Sequence, residues 1–487
     1  MVTSLLTVAE MGEADRRTIA AGTPGTVLME HAGAAVANAM RKRWLPSRVL
    51  VLCGPGNNGG DGFVVARLLA EAGWTVTLAL LGQRGQLRGD AAHHAGLWTG
   101  PILPFTPEAI GNAELIVDAL YGAGLSRPVA GEGAAMLEAV RNANLPMIAV
   151  DVPSGVHGDT GADWGAVKAV LTVTFARAKP GHLLLPGRSL CGELIVAPIG
   201  ISDETVASLS PQTSRNSLED WRGLLPALHP EGHKYTRGHA VIMGGWPTSG
   251  AARLAARAAL RIGAGLASVA VPPDAFAVYA ASLTAVMVRA VTGEADLALL
   301  LGDTRHNALL IGPGAGAGPE TLRRTLLLLR ADRAIVLDAD AITSLASAPQ
   351  PFREAMDARS SGKPVVLTPH EGEFRRLFPI GGDKLARARE AAKASGAVIV
   401  LKGADTVIAA PDGRATINDN APPTLATAGS GDVLSGMILG LLAQGMDGFD
   451  AARAAVWLHG AAAALFGAGL IAEDLPECLA AVLSRLS

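Results

Sequence analysis

Short apolar runs recur along the first part of the chain, each closed by a glycine-rich or polar turn. Val49–Cys53, Thr75–Leu80, Leu115–Leu120, Met147–Val152 and Val170–Phe175 are such runs. Their length, about four to eight residues, is that of a strand buried on both faces. Between them lie helical stretches such as Phe63–Ala72 and Gly133–Asn142. This alternation predicts a doubly wound α/β sheet. The rhythm lapses over 202–230, a more polar stretch containing Ser-Pro-Gln-Thr-Ser, which reads as a linker. It restarts at His239–Met243 and continues through Ala308–Ile311, Ala334–Leu337, Val365–Thr368 and Val398–Leu401. Helices are expected over Gly250–Gly263, Gly431–Gln444 and Ala451–Gly467. Two α/β domains follow, over 1–210 and 222–487.

Composition narrows the class. Hydrophobic residues make up 49% of the chain and charged ones 17%, which supplies buried cores and argues against disorder. A net charge of -3 offers no basic footprint for nucleic acid. Cys53, Cys191 and Cys478 lie too far apart for a disulfide framework or a four-cysteine zinc site, so a reducing compartment is expected. The stretch 1–17 carries Glu10, Glu13 and Asp15 and lacks the basic-then-apolar order of a signal peptide. No run of about 20 apolar residues suggests a membrane span. A cytoplasmic protein is expected.

Chemistry gathers at the strand ends. Val49–Cys53 opens into Gly54-Pro55-Gly56-Asn57-Asn58-Gly59-Gly60-Asp61-Gly62 and then a helix. Glycines bring backbone N–H groups close to a ligand, and the helix start adds unpaired N–H groups and a positive dipole end. Two further strands end in carboxylates, Asp118 before Tyr121 to Pro128 and Asp151 before Val152-Pro153-Ser154-Gly155. In an open α/β sheet such ends carry the ligand. Asn58, Asp118, Asp151 and Ser154 form an oxygen-donor set suited to a hard cation. Either aspartate alone could equally cap a helix or form a turn. His93 and His94, in a polar segment without matching partners, read as solvated surface.

These three loops, with Met29-Glu30-His31-Ala32-Gly33 upstream, resemble the NAD(P)H-hydrate epimerase family over residues 5–205. The resemblance implies a Rossmann-like fold and a potassium ion held by Asn58, Asp118 and Ser154. It also implies a hydrated dinucleotide held by Asn57, Asn58, Gly59, Gly60 and Asp61, by Gly122, Ala123, Gly124, Leu125, Ser126, Arg127 and Pro128, and by Asp151. Asp151 is the candidate acid/base, although the family pattern leaves the proton carrier open.

The second half carries Thr427-Ala428-Gly429-Ser430-Gly431-Asp432 at the start of a helix. Such a start cradles phosphate, and Asp432 at its mouth could take a proton from a hydroxyl attacking a phosphoryl group. A glycine-rich cap with a dipole-favoured aspartate is the plainer reading of that segment alone. Its companions are Val398–Leu401 leading into Lys402-Gly403-Ala404-Asp405-Thr406, Thr368-Pro369-His370, and Gly312-Pro313-Gly314-Ala315-Gly316. His370 is either a cap or a substrate contact. No Gly-x-x-x-x-Gly-Lys-Ser/Thr is present, so this is not a P-loop.

Together with Lys234 to His239 and Ser249 to Arg253, these segments resemble the ADP- or ATP-dependent NAD(P)H-hydrate dehydratase branch of the ribokinase-like superfamily over residues 225–485. The resemblance implies a nucleotide on Lys402, Gly403, Ala404, Asp405 and Thr406 and on Ala428, Gly429, Ser430 and Gly431. Ala251, Gly316, His370 and Asp432 would contact the hydrated cofactor, with Asp432 catalytic and Mg2+ accompanying the nucleotide. The implied activity is repair of NADHX and NADPHX by epimerisation and then ADP-dependent (possibly ATP-dependent) dehydration. The expected partners are these small molecules, without nucleic acid or membrane, and a homo-oligomer is expected.

Overall fold

The computed structural model describes residues 3–359 and 362–486. The chain divides into two units, 2–214 and 215–487, inside the stretch read as a linker. That stretch is more ordered than its polarity suggests. Ser202 caps the helix Asp203–Ala207 by accepting a hydrogen bond from the Thr205 N–H, and a strand runs over Thr213–Arg215. Trp221 is fully buried in the core of the second unit. Two apolar anchors, Val206 and Trp221, override the local composition.

In the first unit a seven-stranded parallel sheet runs in the order Ile102–Leu103, Thr75–Leu80, Arg48–Cys53, Leu115–Ala119, Met147–Val150, Leu171–Phe175, Glu193–Ala197. The order reverses at Arg48–Cys53, since the chain moves first to one side and then to the other. A crevice therefore opens at the carboxyl end of that strand. Helix Asn57–Glu71 starts there and packs Phe63, Val65 and Leu69 into the core. Val49, Val51, Val117, Ile148 and Val173 back it from the sheet.

The second unit repeats the plan. Its strands run Ala415–Asn418, Thr406–Ala409, Val398–Leu401, Val365–Leu367, Ala334–Leu337, Ala308–Ile311, His239–Met243, Leu266–Val271, Met287–Ala290. Only the pairings within the first three are antiparallel. Direction of travel reverses between His239–Met243 and Ala308–Ile311. Helix Ser430–Ala443, nearly all buried beyond its first turn, packs on the alanine-rich helix Gly250–Arg261. The expected fold class is found: a doubly wound sheet in the first unit and an α/β unit in the second. Glu193–Ala197, Leu266–Val271 and the hairpin Thr406–Ala409/Ala415–Asn418 are strands that apolar-run length did not reveal.

Candidate active sites

In the first unit a cavity of about 660 Å³ lies over the reversal point. Its wall includes Asn57, Asn58 and Asp61 from the helix start, Gly122 to Arg127 from the next strand end, and Asp151. Gly54 is needed for close approach: a Cβ there would lie 1.8 Å from the Leu120 carbonyl oxygen. Gly59 and Gly60 are buried behind the wall, Gly59 against the Gly54 carbonyl, so they shape the loop without lining the cavity. Pro128 is exposed beyond the rim.

Asp118 and Ser154 are fully buried beneath this cavity. The Asp118 carboxylate accepts the Ser154 N–H at 2.7 Å and the Ser154 hydroxyl at 2.6 Å. The Ser154 oxygen in turn accepts the Tyr121 N–H. Asp118 thus ties two strand-end loops together. Asn58 brings its amide alongside Gly122, and the amide nitrogen is buried without a partner. The side-chain oxygens of Asn58, Asp118 and Ser154 are the donor type a hard cation takes, whereas the unpaired Asn58 amide nitrogen is itself a donor and would face away from such an ion.

Asp151 occupies a left-handed backbone conformation, φ 67°, which strains a residue bearing a Cβ. Its carboxylate accepts from the Lys179 ammonium at 2.7 Å, the Thr174 hydroxyl at 2.9 Å and the Ala123 N–H at 2.9 Å. Burial alone would raise its pKa, but the Lys179 charge and these hydrogen bonds prevail and hold it at about 2. Asp151 therefore stays ionised near neutrality, where it carries no proton to donate. His182 donates its Nε2–H to the Asp151 carbonyl, 2.8 Å away, its Nδ1 accepts the Lys179 N–H, and burial with the nearby Lys179 lowers its pKa to about 4. Asp15, from helix Val8–Ala20, completes the wall. His93 is exposed, but His94 is buried and bonded to the Thr26 carbonyl, so the surface expectation fails for that residue.

The second unit's site sits at the start of helix Ser430–Ala443. Gly429, at φ 86°, caps it in a conformation that favours glycine. Asp432 follows in the first turn. Burial and the neighbouring Asp338 carboxylate raise its pKa to about 6, against the opposing pull of Lys402. Lys402 itself bonds Asp338 at 2.9 Å. Burial works against its charge, yet Asp338 keeps its pKa raised. Ala339, next to Asp338, holds φ 43°, a second strained non-glycine at a site.

A cavity of about 300 Å³ joins Lys402, Gly403, Ala404 and Thr406 to Ser430 and Gly431. Pro422, Leu425, Leu434 and Val456 give it apolar walls, and His459, which burial lowers to about 4, closes it. Asp405 does not line this cavity. It is buried and paired with Lys384, because a carboxylate there needs a cation when desolvated. Ala428 is exposed and also off the wall. His370 caps helix Glu371–Leu377, its Nδ1 accepting from the Gly372 and Glu373 N–H groups, and its exposed ring turns Nε2 towards the Glu373 carboxylate, 3.4 Å away. The exposed Gly316 donates its N–H to Asp340, and Ala251 opens the first turn of helix Gly250–Arg261. Among the described residues no group of three or more acidic, histidine or cysteine side chains forms a protein-only metal cage.

Comparison with known proteins decides the family. The family model described as YjeF-related protein N-terminus matches residues 25–181, and that described as NAD(P)H-hydrate dehydratase matches 239–484. A bifunctional NAD(P)H-hydrate repair enzyme from Moorella thermoacetica is 38% identical over 94% of this chain and 91% of its own length. One from Coxiella burnetii is 38% identical over 96% of each. The chain belongs to the bifunctional NAD(P)H-hydrate repair enzymes. A ribokinase-like superfamily protein from Enterococcus faecalis, 24% identical with a TM-score of 0.50, covers 57% of this chain and 97% of its own, and shares the fold of the second unit.

For a repair enzyme of this family, the glycine-rich loops announce themselves because they are contiguous. Lys179, His182 and Asp15 are signalled by nothing local. Lys179 and Asp15 line the first cavity and His182 bonds Asp151 behind it, all from segments distant along the chain from the glycine loops, as His459 lines the second cavity and Asp338 pairs with Lys402. Among the described residues no helix is long and apolar enough to cross a membrane.

Proposed function

We propose that the first unit interconverts the C6 epimers of NADHX and NADPHX, and that the second dehydrates the S epimer with ADP as phosphoryl donor. The observation that carries this reading is the presence of both cavities with their glycine-rich loops in one chain, aligned nearly end to end with bifunctional repair enzymes.

In the first unit Asn57, Asn58, Asp61 and the Gly122–Arg127 loop would hold the dinucleotide across the cavity. Asn58, Asp118 and Ser154 would hold potassium, which supplies a fixed positive charge beneath the substrate. In the second unit the nucleotide would lie in the cavity between Lys402–Thr406 and Ser430–Gly431, its magnesium carried by its own phosphates. Ala251, Gly316 and His370 would position the hydrated ring. Asp432, ionised, takes the proton of the C6 hydroxyl as that oxygen attacks the terminal phosphorus of ADP, whose bond to the bridging oxygen breaks to release AMP. The helix N-terminus at Gly429–Gly431 and Lys402 stabilise charge on the transferring group. The C6–O bond then breaks with its electron pair on phosphate, and a C5 proton passes to the departing phosphate or to water, its C–H pair forming the C5–C6 double bond.

The test is to incubate the full chain with both epimers, with and without ADP. Return of NADPH absorbance with ADP, and consumption of the R epimer, are expected. If neither occurs, the reading is overturned. ATP in place of ADP, and potassium exchanged for sodium, resolve the donor and the ion.

A further inference from the structure

Helix Val8–Ala20 presents two faces. Ala14 and Thr18 are buried, whereas Val8, Gly12, Asp15 and Ile19 line the 660 Å³ cavity, together with the largely buried Met11. A spacing of three or four residues places these four on one face. Asp15 is that face's one carboxylate. Glu13 turns instead to Arg16 and Arg17, and Glu10 is used in the capping box with Thr7. The Val8 N–H, held by Asp159, fixes the helix start.

We infer that Asp15 is the proton-transferring residue of the epimerase, acting on the C6 hydroxyl while Asp151 and Lys179 form a fixed ion pair behind it. This rests on the reading of the first unit as an epimerase. Asp151 is held by three donors and has no proton to offer. Asp61 is nine-tenths buried, and burial with the charges of Asp151 and Asp15 raises its pKa well above that of an ordinary aspartate. Asp15 is half-buried and open to the cavity. Burial raises it to about 6, with Lys179 opposing and Asp151 adding to the rise. Asp90 and Arg127 are the other charged groups on the wall. A carboxyl that exchanges its proton close to neutrality can give and then recover it.

The step balances without an oxidant or reductant. Protonated Asp15 gives its proton to the C6 hydroxyl. The C6–O bond breaks, its pair leaves with water, and the ring N1 lone pair forms an N1–C6 double bond. Water then adds to C6 from the opposite face, the N1 pair returns, and the surplus proton goes back to Asp15.

The experiment follows R-to-S conversion by the full chain without nucleotide, in H2(18)O, against an enzyme-free control. Wild type should take one solvent oxygen into the hydroxyl per epimerisation, with kcat falling as pH rises through about 6. Asp15→Asn should lower kcat by about 10²–10⁴-fold and flatten that profile. Asp15→Glu should keep part of the rate and the pH dependence, which separates chemistry from misfolding. Epimerisation by Asp15→Asn at the wild-type rate, or without label uptake in wild type, overturns the inference. Absence of any epimerisation in wild type overturns the underlying epimerase reading instead.

Discussion

At Asp432 burial and three charges compete. Desolvation and the Asp338 and Asp340 carboxylates favour the protonated form, Lys402 the ionised one, and the balance lies at about 6. A general base works only when ionised, so activity should rise with pH through about 6 and then level off. A carboxylate at its ordinary pKa would level off some two units lower. Asp432→Asn should reduce ADP-dependent dehydration by about 10²–10⁴-fold while the full chain still epimerises NADPHX. A dehydration rate independent of pH between 5 and 7, or an active Asp432→Asn, would remove Asp432 from the proton transfer. Asp432 is legible in the sequence because Gly429, Ser430 and Gly431 stand beside it. Asp15 stands beside Ala14 and Arg16 on an ordinary amphipathic helix. Its importance arises from burial and from Lys179 at the far end of the unit's sequence, which local pattern does not encode.

The anion hole is only as well placed as the helix that carries it. Ser430–Ala443 lies directly on Gly250–Arg261, with Gly436 over Ala255 and Gly440 over Ala259. A Cβ at Gly436 would stand 2.2 Å from the Ala255 carbonyl oxygen, and backbone there cannot yield as a side chain would. Gly436→Ala should therefore push the helices apart, at about 1–3 kcal/mol of stability. Because the same two helices carry Asp432 and Ala251, KM for the S epimer should rise as well. A lowered melting transition with unaltered KM would show that the contact supports the fold and not the site. At this scale the sequence was most readable where strands are buried on both faces, as Val398–Leu401 is, with four apolar residues in a row. Glu193–Ala197 and Met287–Ala290, at sheet edges and partly exposed, break the apolar run with Glu193 and Arg289. Thr406–Ala409 follows the Lys402 turn so closely that Thr406 reads as loop, though its hydroxyl bonds Gly403 to close that turn and its backbone enters the sheet.

Each unit has its own core, its own order reversal and its own cavity. Neither set of proposed reacting groups borrows a residue from the other unit. Asp15, Asp151 and Lys179 belong to 2–214, whereas Lys402 and Asp432 belong to 215–487. The two chemistries are then joined through the S epimer, a product of the first and substrate of the second. The R epimer should be repaired slowly by Asp15→Asn, which dehydrates but epimerises poorly, and slowly by Asp432→Asn, which epimerises but dehydrates poorly. Mixing the two full-length variants should restore NADPH formation from pure R epimer with ADP. A lag is expected that shortens as the Asp432→Asn protein is increased, because the S epimer must leave one molecule and enter another. Following absorbance from pure R epimer measures this directly. Wild type at the same concentration of sites should show the same lag if the epimer is released to solution. No lag in wild type beside a clear lag in the mixture would mean that the epimer passes within one molecule, and a mixture that stays inactive would contradict the division into two independent sites.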